Sequence, residues 1–130
     1  LASGLLAGAF DETTEFGEDD HRAAAIEGGV DAGVGTKGGE TFAGVPFDAG
    51  VDAVDALRPH VPEEMTMAQF TLRWILDHDA VSTVIPGSTS SDHVAENAAA
   101  ADFDALSHQT HGAVLDAYEE HVREHVHHRW

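Results

Sequence analysis

VSTVIPGSTSSDHVAEN, residues 81–97, is the segment from which the architecture of this chain can be inferred. Val81–Ile85 is short and β-branched, and it is apolar apart from two small hydroxyl side chains, as in a strand covered on both faces. Pro86 ends this predicted strand. Gly87 allows a ligand to approach the backbone, and the hydroxyl side chains after it are suited to capping an Ala-rich helix. Because free amides at a helix start attract anions, the pattern predicts a phosphate-sized anion site at a βα turn.

Helices are predicted on both sides of this segment from the spacing of apolar residues. The predicted ranges are Phe47–Val61, Met67–His78, Asp92–Ala101 and Leu106–Val126. Thr66 is a suitable N-cap for the second helix, which has so little polar surface that we expect a sheet to cover it. The order helix, helix, strand, helix, helix predicts an α/β fold. A single strand has two unpaired edges, so we expect its sheet partners to belong to a part of the protein upstream of Leu1.

The composition narrows the classes of partner. The chain has 130 residues, with 24 Asp and Glu against six Lys and Arg and a formal charge of −18. Such a surface repels nucleic acid and anionic membranes, so neither is an expected partner. The acids are scattered among apolar positions and Lys is nearly absent, which is typical of a halophilic folded protein. Residues 11–44 are the exception and predict a long acidic, Gly-rich loop, with one helical turn near His21–Glu27.

Cysteine is absent from the sequence, which excludes disulfides, a thiol nucleophile and a Cys-based metal site. No apolar run is long enough to predict a membrane span. Both observations are compatible with a cytoplasmic protein, which is the location that we expect.

Three blocks of sequence resemble the C-terminal part of an aldo-keto reductase. LASGLLAG (1–8) looks like the segment after the seventh barrel strand, and MAQFTLRWIL (67–76) looks like the seventh barrel helix. VSTVIPGS (81–88), followed by Glu96 and Asn97, looks like the eighth strand and the start of a helix that grips the cofactor. The third block is the most specific because it combines a strand end, a turn and a helix face at fixed spacing. The resemblance implies that residues 1–130 form the C-terminal portion of a (β/α)8 TIM barrel, incomplete and mostly helical.

The family resemblance also implies a function, namely the NADP(H)-dependent reduction of aldehydes or ketones. The partners would be the dinucleotide cofactor and a small carbonyl substrate. Residues implied to contact the pyrophosphate, the 2′-phosphate, and the adenine and ribose are, in that order, Leu1, Ala2 and Ser3; Gly87, Ser88 and Thr89; and His93, Glu96 and Asn97. Cations that the family often carries are missing at two places, after the first block, where this chain has Ala9, and near the 2′-phosphate, where it has Gly87 and His93, so NAD(H) stays open as the cofactor. Arg22 is the candidate for a compensating cation.

No catalytic residue is assigned to this chain, because the family's Asp, Tyr, Lys and His come from earlier strands. Tyr118 lies in the last predicted helix and does not match the proton donor by motif. The chain would therefore be inactive alone.

Two other functions stay open. One is a non-enzymatic acidic module that packs on a partner through its broadly apolar helix. The other is a metal site in the His-rich tail, where His121 and His125 are one helical turn apart and His127 and His128 follow. A solvated tail explains these histidines equally well, so no metal ligand is assigned.

Overall fold

The computed structural model describes residues 1–23 and 41–129, and the regular elements in these ranges are all helical. The α-helices are α1 (Phe47–Leu57), α2 (Met67–Leu76), α3 (Ser91–Ala99), α4 (His108–Ala117) and α5 (Arg123–Val126). A π-helical turn, Tyr118–Val122, joins α4 to α5, and short 3-10 segments cover Ala2–Ala7, Thr41–Gly44, Arg58–His60 and His127–Arg129. All of the predicted helices are therefore present. The helical turn predicted near His21–Glu27 falls mainly outside the described residues.

Local sequence signals explain where the helices begin and end. At the start of α2, the Gln69 amide donates to the Thr66 hydroxyl (3.2 Å), and the Thr66 amide donates to the Gln69 side-chain oxygen (3.0 Å), forming a capping box. Ser90 and Ser107 are simple N-caps of α3 and α4, each accepting a backbone N–H with its hydroxyl oxygen. Pro59 cannot donate a backbone hydrogen bond, and α1 gives way there to a short 3-10 turn.

The predicted strand Val81–Ile85 is not a strand in the structure. Residues 81–88 have no regular secondary structure, and the Ile85 side chain is 91% exposed. A strand needs a neighbour to receive its backbone hydrogen bonds, and no second strand is found within residues 1–23 and 41–129. The sheet expected over α2 is absent from the same ranges, so Ile75 and Leu76 stay half-exposed. The described structure is mostly helical, as predicted, but lacks the β component of the α/β prediction.

The core lies where α1 and α2 pack against the N-terminal segment. Its largest fully buried side chains are Phe42, Phe70, Leu72, Val51 and Val54. Phe42, at the end of the predicted loop, has its ring 5.2 Å from that of Phe47, and Phe10 and Phe16 pack around the pair. The described ends of the 11–44 segment thus supply aromatic rings to the core.

Candidate functional site

The segment implied to contact the pyrophosphate is a left-handed turn. Ala2, Ser3 and Gly4 have φ angles of 48°, 57° and 98°. This conformation costs a non-Gly residue about 1–2 kcal/mol, so packing must hold it. Leu5 supplies that packing from within the core, and the Phe10 ring lies 3.1 Å from where a Cβ on Gly4 would be. Backbone strain that the surrounding packing maintains is common at ligand-binding sites.

The segment implied to contact the 2′-phosphate is an exposed turn at Gly87–Ser90. Gly87 does not have a left-handed φ, and a Cβ built on it meets nothing within 4 Å. The chain itself therefore imposes neither a conformational nor a packing requirement for glycine there. The Ser88 hydroxyl donates to the Ser90 carbonyl (2.9 Å), and the Ser90 hydroxyl accepts the His93 amide (3.2 Å). Thr89 is exposed, so this turn presents its side chain and an unobstructed backbone to solvent.

Helix α3 carries the residues implied to contact adenine and ribose. His93, Glu96 and Asn97 are three and four residues apart on it, so they share one face; the first two are exposed and Asn97 is half-buried. No Lys or Arg occurs between residues 81 and 99, and Asp92 adds a negative charge in the first turn. The attraction for an anion must therefore come mainly from the free amides at the start of α3.

Helix α2 connects the two segments through buried polar side chains. The Gln69 side-chain amide donates to the carbonyl of Glu96 in α3 (3.1 Å), and Gln69 is only 8% exposed. The buried Thr71 hydroxyl shares its hydrogen between the carbonyl oxygens of Leu6 (3.0 Å) and Met67 (2.9 Å). No direct hydrogen bond joins Leu1–Ser3 to Gly87–Asn97 in the described structure. The two segments are therefore held in relation to each other by α2.

Arg22, proposed as a compensating cation, already has a partner. Its Nε donates to both carboxylate oxygens of Asp20 (2.9 and 3.1 Å), and its guanidinium lies 4.7 Å from the Phe16 ring centroid and 5.3 Å from that of Phe10. The hydrogen bonds from Arg22 hold the pKa of Asp20 far below its ordinary value. Arg22 lies beside Gly4, but to bind a phosphate it would have to leave Asp20.

A buried carboxylate that the sequence did not single out joins α2 to α4. The Asp77 side chain is 4% exposed and accepts hydrogen bonds from Arg73 Nε (3.0 Å), the Leu106 amide (2.9 Å) and His111 Nε2 (2.9 Å). Burial acts to raise the pKa of Asp77, but the hydrogen bonds from Leu106, His111 and Arg73 outweigh it, so the pKa lies below its ordinary value. The i, i+4 spacing of Arg73, in α2, and Asp77, the residue that follows α2, was the only sequence signal of this cluster.

An apolar cavity of about 550 Å³ lies between α1, α2 and α4. Its wall includes Leu57, Trp74, His111 and Tyr118. The Trp74 Nε1–H is buried and has no hydrogen-bond partner among residues 1–23 and 41–129. None of the residues implied to bind the cofactor lines this cavity. Its mainly apolar wall suits a hydrophobic group rather than a phosphate, so it is a separate feature from the candidate cofactor site.

The His-rich tail does not form a metal site in the described residues. Within 1–23 and 41–129, no group of three or more His, Cys, Asp or Glu side chains is arranged to hold a metal ion. His127 Nδ1 is hydrogen-bonded to the Tyr118 hydroxyl (2.9 Å), while His121 and His125 lie beside the neighbouring carboxylates of Glu120 and Glu124. The geometry therefore gives the metal-site hypothesis no support.

Comparison with known proteins gives one match. A family model described as the aldo/keto reductase family matches residues 1–119. Neither the curated proteins nor the solved structures gave a match. The matched residues include α1 to α4 and both segments of the candidate site.

None of the helices described here has the length and apolar character needed to cross a membrane.

Proposed function

Because the chain belongs to the aldo/keto reductase family, we propose that it binds the adenosine end of NADP(H) in an oxidoreductase that reduces aldehydes or ketones. The observation that carries this proposal is the extent of the family match. Residues 1–119 include every residue implied to contact the cofactor, from Leu1 to Asn97. The proposal extends to adaptation to high salt, on the basis of the net charge of −18, and to a cytoplasmic location, with which a sequence without cysteine is compatible.

The exposed turn has the properties that a phosphate site requires. Gly87 leaves open the space that a Cβ would occupy, and the amides that follow Ser90 carry the partial positive charge of a helix start. The exposed imidazole of His93 lies in the first turn of the same helix. Because residues 81–99 contain no Lys or Arg, we expect binding to be weaker than a charge-paired site gives and NADP(H) to be only moderately preferred over NAD(H).

We assign no step of the chemistry to this chain. The chemistry that NADPH would supply, when bound, is a hydride for the carbonyl carbon. The residues described here would hold the far end of the cofactor and orient it, while protonation of the substrate oxygen would fall to barrel strands other than Val81–Ile85. The only tyrosine, Tyr118, is engaged with His127 and is not assigned as proton donor.

The proposal includes a (β/α)8 barrel in which Val81–Ile85 pairs with neighbouring strands. Two observations support it. Ile85 is 91% exposed, and burying such a side chain gains roughly 1.5–3 kcal/mol. Helix α2 also leaves Ile75 and Leu76 half-exposed, which is the face that a barrel strand would cover.

Calorimetric titration of the chain with adenosine 2′,5′-bisphosphate, NADP⁺ and NAD⁺ tests the proposal. Gly87→Val places a branched side chain where a phosphate would approach, at a position where a Cβ meets no described atom within 4 Å, and we expect about tenfold weaker binding of the bisphosphate. Gly17→Val is the matched control, because Gly17 is also exposed with nothing near its Cβ position. Absence of binding by the unsubstituted chain, or equal affinities for the two variants, would refute the assignment.

A second candidate function is a non-enzymatic module that packs on a partner. The exposed apolar side chains of Ile85, Val94 and Leu115 favour it. Sedimentation equilibrium at increasing protein concentration distinguishes the two functions. Self-association together with no binding of the bisphosphate would favour the module, whereas a monomer that binds the bisphosphate would exclude it.

A further inference from the structure

We infer that Gln69 and Thr71 of α2 are positioning residues that fix the separation between the two segments proposed to hold the dinucleotide. This inference rests on the proposed function. A dinucleotide is long enough to need contacts at both the pyrophosphate and the adenosine end, and these contacts are implied for Leu1–Ser3 and for Gly87–Asn97. Their spacing must therefore be set by something that touches both segments.

Gln69 satisfies a backbone group that α3 cannot satisfy alone. Glu96 lies among the last four residues of α3, whose carbonyls have no partner within the helix. The Gln69 amide donates to the Glu96 carbonyl at 3.1 Å, while its side-chain oxygen accepts the Thr66 amide at 3.0 Å. Both the oxygen and the nitrogen of this buried side-chain amide are therefore hydrogen-bonded. These two hydrogen bonds fix the position of α3 relative to the start of α2.

Thr71 has the corresponding role for the N-terminal turn. Leu6 follows the left-handed residues Ala2–Gly4, and its carbonyl lies 3.0 Å from the Thr71 hydroxyl. Arg58 adds a weaker contact to the same segment, donating to the Gly8 carbonyl at 3.4 Å. Because Gln69 and Thr71 are two residues apart on one rigid helix, a shift of either segment is opposed by the same scaffold.

If Gln69 and Thr71 set this spacing, replacing them should change the affinity for a long ligand more than the affinity for a short one. NADP⁺ would contact both segments, whereas adenosine 2′-monophosphate, which lacks the 5′-phosphate that forms part of the pyrophosphate, would contact only the Gly87–Asn97 segment. Loss of the coupling should weaken NADP⁺ binding and leave the binding of the monophosphate largely unaffected. A merely structural role would not distinguish the two ligands.

The test uses Gln69→Met and Thr71→Val, which keep side-chain volume but remove the hydrogen bonds. We expect NADP⁺ to bind about three- to tenfold more weakly to each, with the affinity for adenosine 2′-monophosphate changed less than about twofold. Thr71→Ser keeps the hydroxyl and should restore NADP⁺ binding. Thr66→Ala is the stability control, because it weakens the capping box while the Gln69 contact to Glu96 remains.

The outcomes separate this inference from the proposed function. An unsubstituted chain that binds neither ligand refutes the proposed function itself. Binding by the unsubstituted chain that is unchanged in both variants, or weakened equally for both ligands, refutes only the positioning role. Thermal unfolding of each variant is measured alongside, and if Gln69→Met does not fold, the comparison of Thr71→Val with Thr71→Ser decides the result.

Discussion

Replacing Asp77 by asparagine should destabilise the chain by about 3 kcal/mol. In the native cluster one carboxylate oxygen accepts from Arg73, and the other accepts from the Leu106 amide and His111 Nε2. Asparagine has a single side-chain oxygen, so in either orientation its NH₂ group faces a donor. Each hydrogen bond to a charged group contributes roughly 1.5–3 kcal/mol, and breaking one side of a buried ion pair costs about 3–5 kcal/mol. The expected cost lies at the lower end of the second range, about 3 kcal/mol, because the amide oxygen of asparagine can still accept some of these hydrogen bonds.

The pH dependence of this effect has a definite sign. The pKa of Asp77 is lower in the folded chain than its ordinary value of 3.8, so between these two values the folded form binds fewer protons than the unfolded form. The stabilisation is complete above the unfolded pKa and is lost as the pH falls through the folded pKa. The free-energy difference between Asp77 and Asp77→Asn chains should therefore shrink below about pH 4, by up to about 1.4 kcal/mol per pH unit.

Urea unfolding, followed by tryptophan fluorescence in high salt between pH 3 and 7, measures both quantities. Asp79→Asn is the matched control, because Asp79 is exposed two residues further along, and its replacement should change the stability by less than about 0.5 kcal/mol. The reasoning is refuted if Asp77→Asn costs no more than the control. It is equally refuted if the cost of Asp77→Asn is independent of pH.

Two further predictions concern the core and the charge. Phe42→Ala should lower the free energy of unfolding in urea by about 3–5 kcal/mol, because the Phe42 side chain is 1% exposed. Phe103→Ala, at a half-buried site, is the control. A similar loss of stability in the two variants would contradict the place of Phe42 in the core. Raising NaCl should raise the thermal unfolding midpoint by roughly 5 °C, because the Debye length falls from about 10 Å at 0.1 M to about 3 Å at 1 M and screens the net charge of −18. A midpoint that does not rise between these salt concentrations would contradict the adaptation to high salt.

The helices were predictable because their signals are local. The apolar spacing and the caps at Thr66 and Ser90 lie within a few residues of the backbone groups that they affect, and the structure has helices there. The candidate cofactor residues came from a resemblance whose blocks fall within the matched range 1–119. Their assignment to particular parts of the cofactor remains a prediction.

Two features of the structure differ from the predictions for the same reason, which is that each depends on residues far apart in the chain. Val81–Ile85 has the composition of a buried strand, but a strand forms only with partners, and none occurs in the described residues. Phe42 lies at the edge of a segment whose glycines and acids indicated a surface loop, yet it is buried by rings from Phe10, Phe16 and Phe47.

The positions and caps of the helices, the acidic surface and the family resemblance could thus be predicted from the sequence alone. Each depends only on neighbouring residues or on composition. Only the tertiary structure put Asp77 against Leu106 and His111, and Gln69 against Glu96. The physical reason is that these groups are buried and polar, so each had to find a hydrogen-bond partner. Which partner it found, 27 to 34 residues along the chain, depended on how the helices pack.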